Sequence, residues 1–167
     1  MQPIVNKPET VALIGTAAKA TLNFRADFIR SLIADKHKVL IFCNDFTKDT
    51  RNTCEDLGAT PVDNPLNRSE ISPIKDLKAT WELSKLLHKH KVTTAFSFFA
   101  KPIVFGSLAA ALVKIPRRVA MIEGMGWSFT RRPETESFKQ KLIRQAQLFL
   151  YRIAFPLLHK VIFLNPD

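Results

Sequence analysis

The hydrophobic residues of this chain fall into short unbroken runs, separated by longer stretches that are apolar on one side only. Such runs predict strands that are covered on both faces, because a strand with one exposed face would alternate between apolar and polar residues. The runs are Val11–Ala17, Lys38–Cys43, Thr93–Phe99, Val119–Ile122 and Val161–Leu164. Thr60–Val62 predicts a further, shorter strand.

The stretches between the runs have the spacing of amphipathic helices. The predicted helices span Leu22–Lys36, Thr47–Leu57, Ile74–His90, Ser107–Leu112 and Ser137–Leu158. Neighbouring parallel strands need a crossover of this length. The pattern therefore predicts an α/β fold with a doubly wound, Rossmann-like parallel sheet of about six strands, in one domain over residues 1–167.

Spacing within the helices predicts which sides face the core. Trp81 stands at helical spacing from Leu77 and is predicted to be a core residue. In the last helix the predicted core face is Leu142, Ala146, Phe149, Leu150, Ile153 and Leu157. The opposite stripe, which mixes basic and apolar side chains, suits either an anionic membrane surface or a crossing helix or partner domain. Its members are Lys141, Arg144, Leu148, Arg152 and Phe155.

Charge narrows the range of partners. The formal net charge is +10, and residues 101–167 hold 11 Lys and Arg against 4 Asp and Glu. A basic excess favours an anionic partner, such as lipid head groups, phosphate esters or nucleic acid. The aromatic residues lie in predicted strands, which disfavours nucleic acid. Neither Cys43 and Cys54 nor the four histidines have metal-ligand spacing, so no metal site is expected.

Chemistry-bearing residues follow three of the predicted strands. Gly15 and Thr16 end the first strand, Lys101 follows the fourth, and Glu123–Gly126 follow the fifth. Doubly wound sheets bind ligands at the carboxyl ends of strands that flank the switch point. We therefore expect these turns to line one shared groove, where Trp127 either stacks on a sugar face or rests on the membrane.

The role of each charged residue stays open at this point. Arg25 supports anion binding near a helix N-terminus, or forms a surface ion pair with Asp27 or Asp49. Lys101 meets a phosphate or an ionised hydroxyl, or is a solvated loop lysine.

Two readings are also open for Glu123. It hydrogen-bonds sugar hydroxyls or acts as a general base, or it pairs with Arg117 or Arg118. Lys101 and Glu123 are the candidate catalytic residues.

A nucleotide- or NAD-binding Rossmann protein is the alternative function. Asp45 after the second strand is the acid that such a protein needs. The first turn, Gly15-Thr16-Ala17-Ala18-Lys19, lacks the glycine fingerprint for a dinucleotide.

Residues 101–130 carry the segments Lys101-Pro102, GSLAA from Gly106, Pro116-Arg117-Arg118 and EGMGWSFT from Glu123. Together they resemble the signature of bacterial family 4 glycosyltransferases, and above all the branch that builds capsule, O-antigen and protein-linked glycans. Asn23-Phe24-Arg25 and the final segment VIFLNPD support the resemblance, which covers essentially the whole chain.

The resemblance implies the acceptor-side half of a GT-B enzyme, without the C-terminal domain that holds the donor. That enzyme would be a retaining transferase that uses a nucleotide-sugar, such as a UDP-sugar, and no other cofactor. Its acceptor would be a glycan, often carried on a polyprenyl diphosphate, at the inner face of the plasma membrane. Gly15, Thr16, Arg25, Lys101, Glu123, Gly124, Gly126 and Trp127 are the predicted acceptor-binding residues.

The resemblance also implies limits on this chain. The acidic EX7E motif of the donor domain does not occur here, so the chain alone is expected to be inactive.

No stretch reaches the roughly 18 apolar residues of a membrane span, and the first ten residues lack the apolar region of a signal peptide. We expect a cytoplasmic protein that is peripheral to the membrane.

Overall fold

The structure is a computed structural model that describes residues 7–67, 72–124 and 137–164. Its strands are β1 (Thr10–Ile14), β2 (Lys38–Cys43), β3 (Thr60–Asp63), β4 (Thr94–Phe98), β5 (Arg117–Ile122) and β6 (Lys160–Phe163). Its α-helices are α1 (Ala18–Ala34), α2 (Lys48–Asp56), α3 (Pro73–Lys89), α4 (Ser107–Leu112) and α5 (Phe138–Ala154). A π-helical segment, Pro102–Gly106, precedes α4, and a 3-10 turn, Phe155–Leu157, follows α5.

All six strands form one parallel sheet in the order β3-β2-β1-β4-β5-β6. The chain order reverses between β1 and β4, where Ile14 is in register with Ser97. The predicted fold class is therefore confirmed. The switch point lies between the first and fourth strands, as predicted for this type of sheet.

Local chemistry explains where several helices begin and end. Thr47 caps α2 in a reciprocal capping box with Thr50. Gly58 follows α2 with a φ of 84°, a left-handed conformation that suits glycine. Pro73 stands in the first turn of α3, where its missing N–H costs nothing.

The helices divide between the two faces of the sheet. Helices α1 and α2 pack on one face, over Leu13, Ile41 and Phe98. Helices α3, α4 and α5 pack on the other face, over Ile14 and Phe42. Cys43 and Cys54 are buried among the side chains of the first face.

Two predictions of core-facing side chains are wrong. Trp81 is 56% exposed and Leu77 is 63% exposed, so this side of α3 faces solvent. The buried side of α3 instead carries Asp76, Thr80 and Leu83.

The core face predicted for the last helix is wrong for most of its members, although Leu150 packs against the core as predicted. Leu142, Phe149 and Ile153 are exposed, whereas Tyr151 and Ala154 are buried. The physical reason is that α5 is apolar on more than one side, so helical spacing alone does not select the side that packs.

We expect Leu83→Ala to lower the free energy of unfolding by about 2–5 kcal/mol, because it leaves a cavity under α3. Leu77→Ala on the same helix is the matched control and should change it by less than about 1 kcal/mol, since Leu77 is largely exposed. Urea titration followed by circular dichroism measures both. Equal losses would contradict the assigned faces of α3.

Candidate functional site

Three turns meet at the carboxyl edge of the sheet, around the switch point. Gly15 follows β1, the segment from Phe99 follows β4, and Glu123 follows β5. Because β1, β4 and β5 are consecutive parallel neighbours, their carboxyl ends lie on one rim. The structure therefore brings the turns to the same edge of the sheet.

A buried ion pair joins α1 to the end of β5. Arg25 Nη2 donates to Glu123 Oε1 across 98 positions of sequence. The Arg25 side chain is 4% exposed and that of Glu123 is 30% exposed. The ion-pair partner of each residue is now known, whereas its functional role stays a prediction. Glu123 pairs with Arg25, not with Arg117 or Arg118, and Arg25 pairs with neither Asp27 nor Asp49.

The Arg25 guanidinium also stacks on an aromatic ring of β4. Its carbon Cζ lies 3.7 Å from the ring centroid of Phe98, which is a cation–π contact. Burial lowers the pKa of Arg25, and the charge of Glu123 opposes that shift. Arg25 Nε and Nη1 are buried and have no hydrogen-bond partner among the described residues. The guanidinium therefore keeps two nitrogen atoms whose N–H groups find no acceptor in the described part of the chain.

Gly15 has a packing role at this rim. A Cβ at this position would lie 2.5 Å from Phe98 Cε2, so any side chain would displace the ring on which Arg25 stacks. The backbone of Gly15 is engaged on both sides: its N–H donates to Phe42 O at 2.9 Å, and its carbonyl accepts from Asn64 Nδ2 at 2.7 Å. Thr16 is buried. Acceptor binding by Gly15 and Thr16 stays a prediction.

An apolar groove of about 670 Å³ begins at the ion pair. Besides Arg25 and Glu123 it is lined by Phe24, Phe28, Phe96, Met121, Ile162 and Leu164. Helices α1 and α2 lie over β1, β2 and β3, and no helix of the described residues covers β5 and β6 on this face. We call the groove that these side chains line the α1 groove.

Lys101 lies at the same rim but on the other face of the sheet. Its Nζ donates to Asp76 Oδ1 at 2.6 Å and to the carbonyl of Asn67 at 2.9 Å. Lys101 and Asp76 line a second groove, between α3 and α5, which we call the α3–α5 groove. The sequence predicted one shared groove, whereas the described residues form two separate grooves.

Asp76 was missed by sequence reasoning, although the sequence held a signal. Asp76, Thr80, Leu83 and Leu87 follow helical spacing on the buried side of α3. A carboxylate in such a row needs a buried cation or hydrogen-bond donors. That requirement predicts a partner, although it does not say that the partner is Lys101.

The turn from β4 to Lys101 has an unusual backbone. Phe99 has a φ of 67°, a conformation that bulky residues rarely adopt. The π-helical segment Pro102–Gly106 follows directly, and Gly106 is close-packed there, since a Cβ would lie 3.0 Å from Ser97 Oγ. Strained residues and π-helical turns cluster at functional sites. This turn fixes where Lys101 enters its groove.

Asp45 has a structural role that weakens the dinucleotide alternative. Its Oδ1 accepts from the backbone N–H of Ala18 at 2.6 Å, at the first residue of α1. A dinucleotide would place its pyrophosphate at this helix N-terminus and use the acid after β2 for its ribose. Here the acid itself occupies the helix N-terminus.

The basic stripe predicted on the last helix has a mixed environment. Lys141 and Arg152 are exposed, whereas Arg144 and Leu148 are half-buried. Phe155 stacks on Tyr151 with ring centroids 5.0 Å apart and packs against the core. Membrane contact by this stripe stays a prediction. Gly124 is exposed at the end of β5, and Gly126 and Trp127 lie outside the described residues.

Over 7–67, 72–124 and 137–164, no group of three or more His, Cys, Asp or Glu side chains is placed to hold a metal ion. None of the helices described here combines the length and the apolar character that crossing a bilayer requires.

We expect Glu123→Gln to lower the free energy of unfolding by about 2 kcal/mol, because it leaves the buried Arg25 without its countercharge. Arg30→Met on the same helix is the control, because it breaks an exposed pair with Asp27 and should cost less than about 1 kcal/mol. Denaturant titration at neutral pH measures both. If Glu123→Gln left the free energy of unfolding unchanged, another group would have to balance the charge of Arg25.

Comparison with known proteins places the chain in a family. Residues 10–163 match the family model described as glycosyl transferase 4-like. The chain is 29% identical over 157 residues to the N,N'-diacetylbacillosaminyl-diphospho-undecaprenol alpha-1,3-N-acetylgalactosaminyltransferase of Campylobacter jejuni. That match covers 93% of this chain, which spans 40% of the length of the relative.

Solved structures support the fold. MurG of Acinetobacter baumannii superposes with a TM-score of 0.60 at 19% identity, over 95% of this chain and 41% of MurG. A glycosyltransferase of Rickettsia africae superposes with a TM-score of 0.59 at 14% identity, over 96% of this chain and 43% of that one. Because the family model matches nearly the whole chain, the chain belongs to the glycosyl transferase 4-like family.

Proposed function

We propose that this chain holds the acceptor for a glycosyltransferase that adds a sugar to a glycan carried on a lipid diphosphate. Family membership supports sugar transfer, and the name of the Campylobacter relative supports a polyprenyl-diphosphate acceptor. One observation of the structure carries the proposal. Exposed apolar side chains on the α3, α4 and α5 layer flank the groove that contains Lys101.

We call these side chains the apolar helical face. Its members are Ile74, Leu77 and Trp81 of α3, Leu112 of α4, and Phe138, Leu142, Phe149 and Ile153 of α5. Large apolar side chains that gather on one surface mark interaction sites, whereas single ones need no explanation. An acceptor with a long hydrocarbon chain stays in the bilayer, so a protein that binds it must meet the bilayer surface.

Exposed cations border the apolar helical face. Lys75 and Lys78 lie on α3, and Lys141 and Arg152 lie on α5. Cations next to apolar side chains favour the anionic inner leaflet, at about 1 kcal/mol for each Lys or Arg near the surface. The proposed membrane contact therefore uses a different side of α5 from the predicted stripe, although Lys141 and Arg152 belong to both.

The two grooves suggest a division of roles. Lys101, which is paired with Asp76 in the α3–α5 groove, is the cation proposed to meet the acceptor's diphosphate. Glu123, held by Arg25 and partly exposed, accepts hydrogen bonds from sugar hydroxyls and is placed to accept a proton. Acceptor binding by Gly124, Gly126 and Trp127 remains part of the proposal.

The reaction itself is proposed from the family. A nucleotide-sugar such as a UDP-sugar would be bound mainly by a second domain, and transfer would retain the anomeric configuration. That domain would also stabilise the charge on the departing nucleotide diphosphate. The product would belong to a surface glycan such as capsule or O-antigen. The chain by itself would bind acceptor without transferring sugar.

We expect Ile74→Glu combined with Phe149→Glu to weaken binding to anionic phosphatidylglycerol vesicles about tenfold or more. The reason is that both exposed side chains lose their burial in the interface, worth about 1.5–3 kcal/mol each. Phe24→Glu is the matched control, since Phe24 is exposed on α1 at the opposite face of the sheet and should leave binding unchanged. Vesicle co-sedimentation measures the unchanged chain, the double variant and the control, and equal loss in the control would refute the proposed membrane face.

We expect the purified chain to bind vesicles that contain a polyprenyl-diphosphate-linked saccharide more tightly than vesicles of the same charge without it. A UDP-sugar should bind weakly in calorimetry and should not be transferred to the lipid-linked saccharide. Equal binding to both kinds of vesicle would contradict the acceptor role. Transfer of radiolabelled sugar into the lipid fraction would contradict the need for a second domain.

A further inference from the structure

The α3–α5 groove differs from the rest of the rim in its chemistry. It has a volume of about 400 Å³ and lies above the π-helical segment that follows β4. Its walls are mainly aliphatic and aromatic: Leu77 comes from α3, Val104 and Phe105 from the π-helical segment, and Ile143 and Leu150 from α5. Apolar walls of this kind favour an apolar occupant.

The polar groups of the groove are few. Lys101 and Asp76 form an ion pair at 2.6 Å, and their side chains are largely buried. Gln147 Nε2 donates to the Tyr151 hydroxyl at 2.9 Å. Pro73, at the N-terminus of α3, lines the groove together with Lys101. Asp76 offsets the charge of Lys101, so an anion in this groove shares the ammonium group with that carboxylate.

We propose that the α3–α5 groove holds the isoprenoid units next to the diphosphate of a polyprenyl-diphosphate acceptor, with the diphosphate at Lys101. This inference rests on the proposed function, because it takes the lipid-linked acceptor from there. What the inference adds is the position of the isoprenoid chain of that acceptor. The first isoprenoid units leave the bilayer and lie between α3 and α5.

The chemistry of the walls distinguishes this occupant from others. A saccharide would bury hydroxyls beside Val104, Phe105 and Leu150, where the side chains offer no hydrogen bonds, and each unpaired hydroxyl costs free energy. A peptide would bury backbone N–H and C=O groups with the same penalty. An isoprenoid chain has no polar group until its diphosphate, which matches a groove whose walls are apolar apart from the Lys101–Asp76 pair and Gln147.

The position of the groove supports the same occupant. Leu77 belongs both to the groove wall and to the apolar helical face. Ile74 on α3 and Leu142 on α5 are further exposed members of that face on the two helices that form the groove. A lipid chain that leaves the bilayer at this face therefore enters the groove without crossing a polar surface.

Farnesyl diphosphate, used below its micelle concentration and without vesicles, is the probe for this site. We expect it to bind the whole chain saturably in calorimetry, at least about tenfold tighter than inorganic diphosphate, because burial of its apolar units adds to the charge contact. Ala146→Trp should weaken that binding at least about tenfold, since Ala146 is exposed and lines the groove, where an indole fills the space.

Gln145→Trp is the matched control, because Gln145 is exposed on the same helix and does not line the groove. It adds the same bulk and should leave farnesyl diphosphate binding unchanged. Circular dichroism confirms that each variant folds. Should Ala146→Trp fail to fold, Leu77→Glu tests the same wall, and its added carboxylate should repel the diphosphate.

Equal affinity for farnesyl diphosphate and inorganic diphosphate would overturn the proposal, as would normal binding of farnesyl diphosphate by Ala146→Trp. These outcomes leave the proposed function standing if the chain still prefers vesicles that contain the lipid-linked saccharide. Loss of that preference, with tight farnesyl diphosphate binding that Ala146→Trp abolishes, would support the groove and refute the acceptor role. Failure of the groove proposal and failure of the proposed acceptor role therefore give different results.

Discussion

The pairing of β1 with β4 is the constraint on which the rest of this structure depends. It brings a strand from the start of the chain next to one that begins 84 positions later, with Val11 in register with Thr94. At this pairing the crossover helices change from one face of the sheet to the other. The carboxyl ends of β1, β4 and β5 consequently form one rim, with a groove on each of its faces.

Charge at that rim is kept in buried or half-buried pairs. Arg25 is held between Glu123 and the ring of Phe98, and Lys101 is held by Asp76. A buried cation is tolerated only with a countercharge, because removing it from water is costly. Each pair also joins separate elements, α1 to β5 and α3 to the segment after β4. The same contacts therefore position charged groups and fix the elements around them.

The exposed apolar side chains lie on two different surfaces. Those of the α3, α4 and α5 layer face outward over helices, whereas Phe24, Phe28 and Leu164 border the α1 groove, where the sheet lacks a helical cover within the described residues. The proposed bilayer contact uses the first surface, which is bordered by cations. The two faces of the sheet thus have different chemistry, although both open at the same rim.

Sequence by itself determined the order and type of the elements, because unbroken apolar runs and helical spacing are local properties. Observed element bounds differ from the predicted ones by a few residues, as for β4 at Thr94–Phe98 and α3 at Pro73–Lys89. It also placed Gly15, Lys101 and Glu123 at one rim, since parallel strands put their carboxyl ends together. The motifs around residues 101–130 indicated the family that the comparison confirms.

Only the tertiary structure decided which side of α3 and α5 is buried, because both helices are apolar on more than one side and packing selects among them. It also decided the partners of Arg25 and Lys101, since an ion pair between residues 98 positions apart leaves no trace in local spacing. The separation of the rim into two grooves has the same origin. The position of a residue in the sequence shows which strand end it follows. The face of the sheet on which its side chain lies depends instead on how the turn after that strand folds.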